Sequence, residues 1–264
     1  MADGWAAWLD WTERNFRPVT DWFVEAAGWK PGSRVLDVAC GSGYPAMEAA
    51  RHVRPGGRVV ATDISTEMLA VASRRATNGG LDNIEFLEMD AEELTVKDAS
   101  FDAVTNAYGL MLCPDLPRAL SEAHRVLKPG ARVALVTWDE PSRSPFFSVI
   151  TAVAAPFLGL VPPPSGAPGP FRLSSPTQLG SLLRDAGFDD VRVDNVSMTL
   201  ELASVADYIQ VFSDVAWKAR VASLSEADLG RLKEEITQAV QPYVDKASGR
   251  LRLTAASLCA SGRK

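Results

Sequence analysis

Between residues 33 and 138 the chain alternates short runs of apolar, β-branched residues with longer stretches of helical character. The runs cover residues 34–39, 58–63, 84–89, 101–107 and 131–138. Most of them lack strict alternation of apolar and polar residues, which is typical of strands covered by helices on both faces. Together with two later strands, at 188–202 and 250–264, this α/β alternation predicts a doubly wound, mostly parallel, seven-stranded Rossmann-like sheet.

The segments outside this alternation predict an α-helical lid. The expected organisation is an N-terminal helical cap at 1–30, a cofactor-binding core at 31–140, a lid helix, Pro/Gly-rich loop and connecting helix at 141–187, a core strand at 188–202, a helical lid insertion at 203–249 and a final core strand at 250–264. The run from Val161 to Pro170 is so rich in proline and glycine that it excludes a helix or a central strand.

Several helix boundaries are marked by residues that cap helices. Ser65, Ser175 and Ser225 each stand where an N-cap is needed, because their hydroxyl can accept from a free backbone N–H of the first turn. We expect further helices at 116–127, 205–222 and 226–244, with a turn at 128–130 after the first of them.

The charge balance argues against a nucleic-acid substrate. The 264 residues carry 33 acidic and 27 basic side chains, a net charge of −6, and no basic stripe for phosphates. No uninterrupted apolar run is long enough to predict a membrane span, and the N-terminus lacks the basic region of a signal peptide. The three cysteines lie far apart, which favours a reducing cytoplasm over disulfides or a zinc site.

A glycine-rich turn follows the first predicted strand. Its Gly41-x-Gly43 spacing fits a loop that brings backbone N–H groups close to a ligand, which could be the pyrophosphate of a dinucleotide. The same spacing also fits any tight strand-to-helix turn. Asp37 stands inside the strand just before the turn, where its charge would repel a pyrophosphate but attract a cationic ligand group. Asp63, at the end of the second strand, suits ribose hydroxyls in either kind of cofactor.

The stretch from Leu36 to Gly43 resembles the first motif of class I S-adenosylmethionine-dependent methyltransferases. The resemblance continues in order through Asp63 and residues 89–94, 100–104 and 125–130, and thus covers about residues 33–138. It is closest to the ubiquinone/menaquinone-biosynthesis type, a group that also contains natural-product methyltransferases. One departure is Ala39, which stands where these enzymes often have a glycine.

The resemblance implies a role for each matching residue. Asp37 would lie near the methionine amino group of S-adenosylmethionine, and the backbone of Asn106 would also lie near the methionine. The backbone of Ala39, Gly41 and Gly43 would lie beside the methionine and ribose, and Asp63 would bind the ribose hydroxyls. Ile64 and Met68 would flank the adenine, with Asp90 and Ala91 at its amino group. Taken without the resemblance, Asp90 reads as a helix N-cap and Asp63 as a turn residue.

Catalytic residues are harder to assign from the sequence. Methyl transfer is an in-line displacement with a neutral leaving group, and positioning alone can supply roughly 7–11 kcal/mol of barrier reduction. Tyr44 and Tyr108 follow strand ends and could orient a substrate hydroxyl, although packing explains them equally well. His52 and His124 are interpreted as structural residues. No cluster of metal ligands is evident, so no metal is expected.

Aromatic residues are concentrated in the segments expected to form the lid. The residues expected to line an apolar substrate pocket are Trp8, Trp11, Tyr44, Tyr108, Trp138 and Phe146. Two alternatives stay open, because the same aromatics could bury lid helices against the sheet or form the interface of a homodimer.

The leading interpretation is a cytoplasmic enzyme that methylates O, N or C of a small, fairly hydrophobic metabolite of phenolic, quinol-like or natural-product type. It would use S-adenosylmethionine and release S-adenosylhomocysteine. An NAD-linked oxidoreductase is one alternative, disfavoured by Asp37 and by the absence of a Tyr-x-x-x-Lys pair. A methyltransferase fold kept as a binding or regulatory protein is another, disfavoured because Asp37, Asp63 and Asp90 are all retained.

Overall fold

The computed structural model describes residues 2–164 and 166–264. Met1, in the predicted cap, and Ser165, in the predicted Pro/Gly-rich loop, lie outside the described residues, as do the side chains of Ala2, Asp3 and Trp5. No helix within the described ranges is long and apolar enough to cross a membrane.

Seven strands form one sheet. They are β1 (Arg34–Val38), β2 (Arg58–Asp63), β3 (Ile84–Glu88), β4 (Phe101–Ala107), β5 (Leu127–Trp138), β6 (Asp189–Leu202) and β7 (Leu251–Arg263). Their order across the sheet is β3-β2-β1-β4-β5-β7-β6. The pairs from β3 to β5 are parallel and β7 is antiparallel to β5, which confirms the predicted mostly parallel, seven-stranded sheet.

The helices are α1 (Ala2–Ala7), α2 (Leu9–Asn15), α3 (Arg17–Ala26), α4 (Ala46–His52), α5 (Thr66–Asn78), α6 (Leu116–Val126), α7 (Pro145–Leu158), α8 (Pro176–Asp185), α9 (Val205–Val215), α10 (Lys218–Ala222) and α11 (Glu226–Ala239). The predicted caps are confirmed. Ser65, Ser175 and Ser225 accept from the backbone N–H three residues on, at 3.3, 3.4 and 3.1 Å.

Three boundaries differ from the prediction by more than two residues. The helix expected over 226–244 ends at Ala239 and is followed by a separate 3₁₀ turn at Gln241–Tyr243. The turn expected at 128–130 is part of β5, because the Gly130 N–H donates to the Lys264 carbonyl at 2.7 Å and so pairs with the end of the chain. The helix expected over 205–222 is broken after α9, where the N–H groups of Ala216 and Trp217 both donate to the Phe212 carbonyl. The Trp217 ring packs on the Phe212 ring with centroids 4.9 Å apart, which stabilises the break.

The chain divides into two compact units. The core unit comprises residues 18–139, 165–196 and 257–264, and the lid unit comprises residues 1–17, 140–164 and 197–256. The segment predicted as a single cap at 1–30 is thus shared between the units, with the division after Arg17. The predicted functions of the segments stay predictions.

The core unit contains the central strands, whose side chains are buried on both faces. Val35, Leu36 and Val104 are each no more than 1% exposed, as expected for strands covered by helices. The strand order reverses direction between β1 and β4. In open parallel sheets ligands bind beyond the carboxyl ends of the strands at such a switch point.

The lid unit is held by an aromatic cluster. Phe146 is 3% exposed and its ring lies 5.8 Å from Trp11, 5.3 Å from Tyr208 and 5.2 Å from Phe212. The Tyr208 hydroxyl donates to the Phe146 carbonyl at 2.5 Å, so the polar group of this buried ring is satisfied. The cluster joins α2, α7 and α9.

Candidate functional site

The loop after β1 is a tight turn built on left-handed backbone. Ala39, Gly41 and Gly43 have φ values of 52°, 53° and 100°. The Cys40 N–H donates to the Thr62 carbonyl of β2 at 2.8 Å, which ties the loop to the neighbouring strand. Ala39 fits the turn, but its left-handed conformation costs roughly 1–2 kcal/mol relative to glycine.

The two glycines have different roles. A Cβ at Gly43 would lie 2.6 Å from the Met47 side chain and 3.3 Å from Ala72, so this glycine lets α4 and α5 pack close to the loop. A Cβ at Gly41 would meet no atom within 4 Å. The open side of Gly41 is where a ligand can approach the backbone.

Asp63 connects the end of β2 to this loop. One carboxylate oxygen accepts from the Gly41 N–H at 2.7 Å and the other accepts from the Ser65 N–H at 2.9 Å. Each carboxylate oxygen has two lone pairs, so both keep acceptor capacity for ribose hydroxyls. The turn-residue interpretation and the ligand-binding interpretation of Asp63 are therefore compatible.

Asp37 is fully buried within the sheet. Its Oδ1 accepts from the Thr105 hydroxyl at 2.8 Å, whereas its Oδ2 has no hydrogen-bond partner among the described residues. Burial raises the pKa of this carboxyl to about 7, the nearby charge of Asp63 adds to the rise, and the Thr105 hydroxyl and the Ala46 N–H oppose it. The Ala46 N–H thus favours the carboxylate without completing a hydrogen bond to Oδ2. A cationic ligand group at Oδ2 would satisfy this atom.

The residues expected at the adenine lie at the ends of β2 and β3. Ile64 is 70% exposed, an unusual position for a large apolar side chain, and Met68 is half-buried one turn into α5. Asp90 is exposed and its Oδ1 accepts from the Glu92 N–H at 2.9 Å, while Ala91 is buried. Asp90 therefore caps a turn and not a helix.

Asn106 holds the two central strands together at the switch point. Its side-chain amide donates to the Val38 carbonyl at 2.6 Å and its oxygen accepts from the Leu110 N–H at 3.0 Å. The side chain is fully buried. The predicted role of its backbone beside the methionine stays a prediction.

Tyr108 follows β4 in a left-handed conformation, with φ of 58°. Its ring stacks on Trp138 with centroids 4.1 Å apart and an interplanar angle of 22°. Its hydroxyl is 2.8 Å from the hydroxyl of Ser257 on β7. Burial raises the pKa of the Tyr108 hydroxyl well above its ordinary value, so this phenol stays protonated at neutral pH.

Tyr44 lies on the other side of the switch point, in the glycine loop. Its hydroxyl is 3.0 Å from the Thr20 hydroxyl of α3, and its ring meets Phe23 edge-on at 6.5 Å. Burial raises the pKa of Tyr44, which also stays protonated. Both tyrosines therefore serve as hydrogen-bonding groups and not as bases at neutral pH.

Four polar partners in this region were not predicted from the sequence. They are Thr20, Thr105, Asn195 and Ser257, of which Asn195 donates to the buried carboxylate of Asp139. None belongs to a motif, and each lies far along the chain from the residue that it contacts. Tertiary packing of strands and helices, and not spacing along the chain, brings these pairs together.

The six predicted pocket residues are divided between the units. Tyr44, Tyr108 and Trp138 belong to the core unit, and Trp8, Trp11 and Phe146 belong to the lid unit. In the lid unit the Trp11 indole donates to the Glu201 carbonyl at 2.7 Å and Trp8 donates to Asp214 at 3.0 Å. These contacts favour packing for the lid aromatics, and the common pocket stays a prediction.

The two histidines have partners that suit structural roles. His52 ends α4 and its Nδ1 lies 2.8 Å from the Glu48 carbonyl, within that helix. His124 lies edge-on to the Phe188 ring at 5.0 Å, and burial lowers its pKa.

The amino-acid sequence of the chain matches one family model and is similar to several named methyltransferases. The model of the ubiE/COQ5 methyltransferase family matches residues 16–162. The 2-phytyl-1,4-naphtoquinone methyltransferase of Nostoc sp. is 40% identical over 124 residues, which are 47% of this chain and 54% of that protein. The ubiquinone/menaquinone biosynthesis C-methyltransferase UbiE of Francisella philomiragia is 33% identical over 184 residues, 66% of this chain and 74% of that protein.

Among solved structures, the YcgJ protein of Bacillus subtilis has the same fold. It matches with a TM-score of 0.60 at 20% identity, covering 93% of this chain and 97% of that one. The chain spans only about half the length of the Nostoc relative, 54%. The matched part contains the glycine loop, Asp37, Asp63, Asp90 and Tyr108, which all lie within residues 16–162.

Proposed function

The chain belongs to the ubiE/COQ5 methyltransferase family, and we propose that it transfers a methyl group from S-adenosylmethionine to a small, fairly hydrophobic metabolite. The observation that carries this proposal is the buried, unpartnered Oδ2 of Asp37, in the strand that leads into the loop where the Cβ side of Gly41 is open. An unpartnered buried carboxylate oxygen suits an ammonium group, and the methionine end of the cofactor carries one.

The other cofactor contacts follow from the same edge of the sheet. Asp63 would hold the ribose hydroxyls, and Ile64 with Met68 would flank the adenine. The remaining proposed contacts are Asp90 and Ala91 at the adenine amino group and the backbone of Ala39, Gly43 and Asn106 at the methionine. The exposure of Ile64, at 70%, supports an apolar contact that the free protein lacks.

S-adenosylmethionine, when bound, supplies a methyl group on a positively charged sulfur. The residues of this chain then have to orient the acceptor and exclude water, which is the larger part of the work in such a displacement. Tyr44 and Tyr108 would orient an acceptor hydroxyl, because the raised pKa of each phenol keeps it a hydrogen-bonding group.

A quinol-like aromatic acceptor is the proposed substrate class. Two of the similar proteins are named for quinone methylation, one of them as a C-methyltransferase. An electron-rich ring carbon needs no strong base to act as nucleophile, which suits a site whose tyrosines stay protonated. Phenolic and natural-product acceptors, with O or N as the accepting atom, share the same site chemistry.

Calorimetric titration of the purified protein with S-adenosylhomocysteine tests the cofactor assignment, with NAD as the matched control. Binding of S-adenosylhomocysteine alone, at micromolar affinity or better, supports the proposal. Binding of NAD alone, or of neither, would reject it. Transfer of labelled methyl to reduced 2-phytyl-1,4-naphthoquinone, compared with simple phenols and amines, then tests the acceptor class.

Three expectations remain part of the proposal. The enzyme is proposed to need no metal, to act on no nucleic acid and to work in the cytoplasm, and a homodimer interface stays an alternative role for the lid aromatics. Methyl transfer should continue unchanged in EDTA, and sedimentation equilibrium gives the number of subunits.

A further inference from the structure

Ser257 of β7 contributes to the site although it belongs to no sequence motif. Ser257 is fully buried and its hydroxyl is 2.8 Å from the hydroxyl of Tyr108, 149 residues away. In the antiparallel ladder Ser257 lies directly opposite Trp138, whose ring stacks on Tyr108 at 4.1 Å. Tyr108 is thus held at its ring by one residue of this pair and at its hydroxyl by the other.

The backbone of Tyr108 adds a third restraint. Its backbone φ is 58°, a value that residues other than glycine rarely adopt. Its N–H donates to the Val136 carbonyl at 2.8 Å. Such conformations persist where the surrounding structure determines them, and they concentrate at functional sites. Tyr108 stands at the carboxyl end of β4, next to β1 and its glycine loop.

We propose that Ser257 is a positioning residue that fixes the Tyr108 hydroxyl as the anchor for a hydroxyl on an aromatic acceptor. The inference rests on the proposed methyl transfer and adds the residue that orients its acceptor. The Tyr108 side chain is half-buried, so part of its surface remains accessible. Stacking on the buried Trp138 fixes the plane of the Tyr108 ring, and the accessible part of that ring suits an acceptor with a planar ring.

The choice of hydroxyl partner has a chemical consequence. A protonated phenol bonded to a serine hydroxyl can both donate and accept, because either hydroxyl can supply the proton between them. The pair can therefore hold an acceptor as a phenol or as its phenolate. A carboxylate in the place of Ser257 would repel the phenolate form.

Calorimetry with 1-naphthol, on protein saturated with S-adenosylhomocysteine, tests the inference. Tyr108→Phe and Ser257→Ala should each weaken 1-naphthol binding by about five- to tenfold, the range of one neutral hydrogen bond. The double variant should bind no more weakly than Tyr108→Phe alone, because Ser257 acts through that hydroxyl. A serine with a merely structural role would not produce this non-additivity.

The matched control is Ser261→Ala, which removes another buried hydroxyl from the same face of β7. It should leave 1-naphthol binding unchanged. If Ser257→Ala fails to fold, Ser257→Cys keeps the volume with a much weaker donor and takes its place.

The outcomes separate this inference from the proposed function. Unchanged S-adenosylhomocysteine affinity in all variants, with the non-additive loss of 1-naphthol binding, supports the inference. Four outcomes would overturn the inference while leaving the cofactor site intact. They are additive losses of 1-naphthol affinity, a Ser257 variant that binds 1-naphthol like wild type, a loss of equal size in Ser261→Ala, and no 1-naphthol binding to the loaded wild type. Failure of S-adenosylhomocysteine to bind would overturn both.

Discussion

The two sides of the switch point are built differently. On the β1–β2 side, Asp63 accepts from the backbone N–H groups of Gly41 and Ser65, and the Cys40 N–H donates to the Thr62 carbonyl. On the β4–β5 side, Tyr108 depends on a ring and a hydroxyl from other strands, Trp138 and Ser257. The first side is a backbone cradle and the second is a set of side chains.

Because of this difference, the two sides of the switch point suit different kinds of ligand. Backbone N–H groups suit one constant ligand, since they do not change with side-chain substitution, and the two carboxylates beside them add acceptors for it. A side-chain site can change its substrate by substitution while the sheet is kept. We therefore expect substitutions on the β1–β2 side to alter cofactor affinity and those on the β4–β5 side to alter the acceptor step.

Asp63→Ala should have the largest effect. Two charge-assisted hydrogen bonds to ribose would be lost, and S-adenosylhomocysteine affinity should fall on the order of 100-fold in calorimetry. Asp82→Ala is the matched control, because Asp82 is an exposed carboxylate paired with Arg54 at 2.5 Å, away from the glycine loop. An Asp63→Ala protein that is folded by circular dichroism and binds as tightly as wild type would remove Asp63 from the site.

The pH dependence of cofactor binding should report Asp37. Because burial raises the pKa of Asp37 to about 7, the carboxyl must lose its proton to pair with an ammonium group. S-adenosylhomocysteine affinity should therefore fall about tenfold from pH 7.5 to pH 6. Asp37→Asn should bind more weakly at pH 7.5 and show a flat profile over this range. A wild-type profile as flat as that of Asp37→Asn would contradict the role of Asp37.

The same pKa shift has the opposite effect on the free protein. The Asp37 pKa lies above its ordinary value of 3.8, so the folded state binds this proton more tightly than the unfolded state. The stability that Asp37 contributes is present below about pH 4 and is lost as the pH rises to about 7. Urea unfolding of wild type and Asp37→Asn across this range should show the difference.

Tyr108→Phe should affect only the β4–β5 side of the switch point, where the acceptor is proposed to bind. Turnover of reduced 2-phytyl-1,4-naphthoquinone should fall about fivefold through loss of one orienting hydrogen bond, while S-adenosylhomocysteine affinity stays at the wild-type value. Equal turnover in the variant would leave catalysis to the rest of the site. A parallel loss of cofactor affinity would show that the two sides are not separable.

Ile64→Ala should give the smallest effect. The side chain is 70% exposed, so the free energy of unfolding should change by less than about 0.5 kcal/mol. Loss of an apolar contact with the adenine should weaken S-adenosylhomocysteine binding by about threefold. Val161→Ala, at 83% exposure in the lid unit, is the matched control and should change neither quantity.

Much of the core was predictable from sequence because its signals are local. Runs of β-branched residues marked β1 to β4 to within a residue, and Ser65 capped α5 as expected. The start of β5 was wrong because the partner of Gly130 is the last residue of the chain. The continuous helix predicted over 205–222 was wrong, because the chain breaks after α9 where the Trp217 ring packs on Phe212.

The sequence by itself determined the mostly parallel sheet and the family, and it placed the proposed cofactor residues at one edge of that sheet. Asp37, Gly41 and Gly43 are neighbours in the chain, and Asp63 ends the next strand, so spacing alone places them together. Only the tertiary structure decided that Asp37 has an unpartnered buried oxygen and that Ser257 meets Tyr108. Those facts depend on strand order and on register across residues 149 positions apart, which local periodicity does not encode.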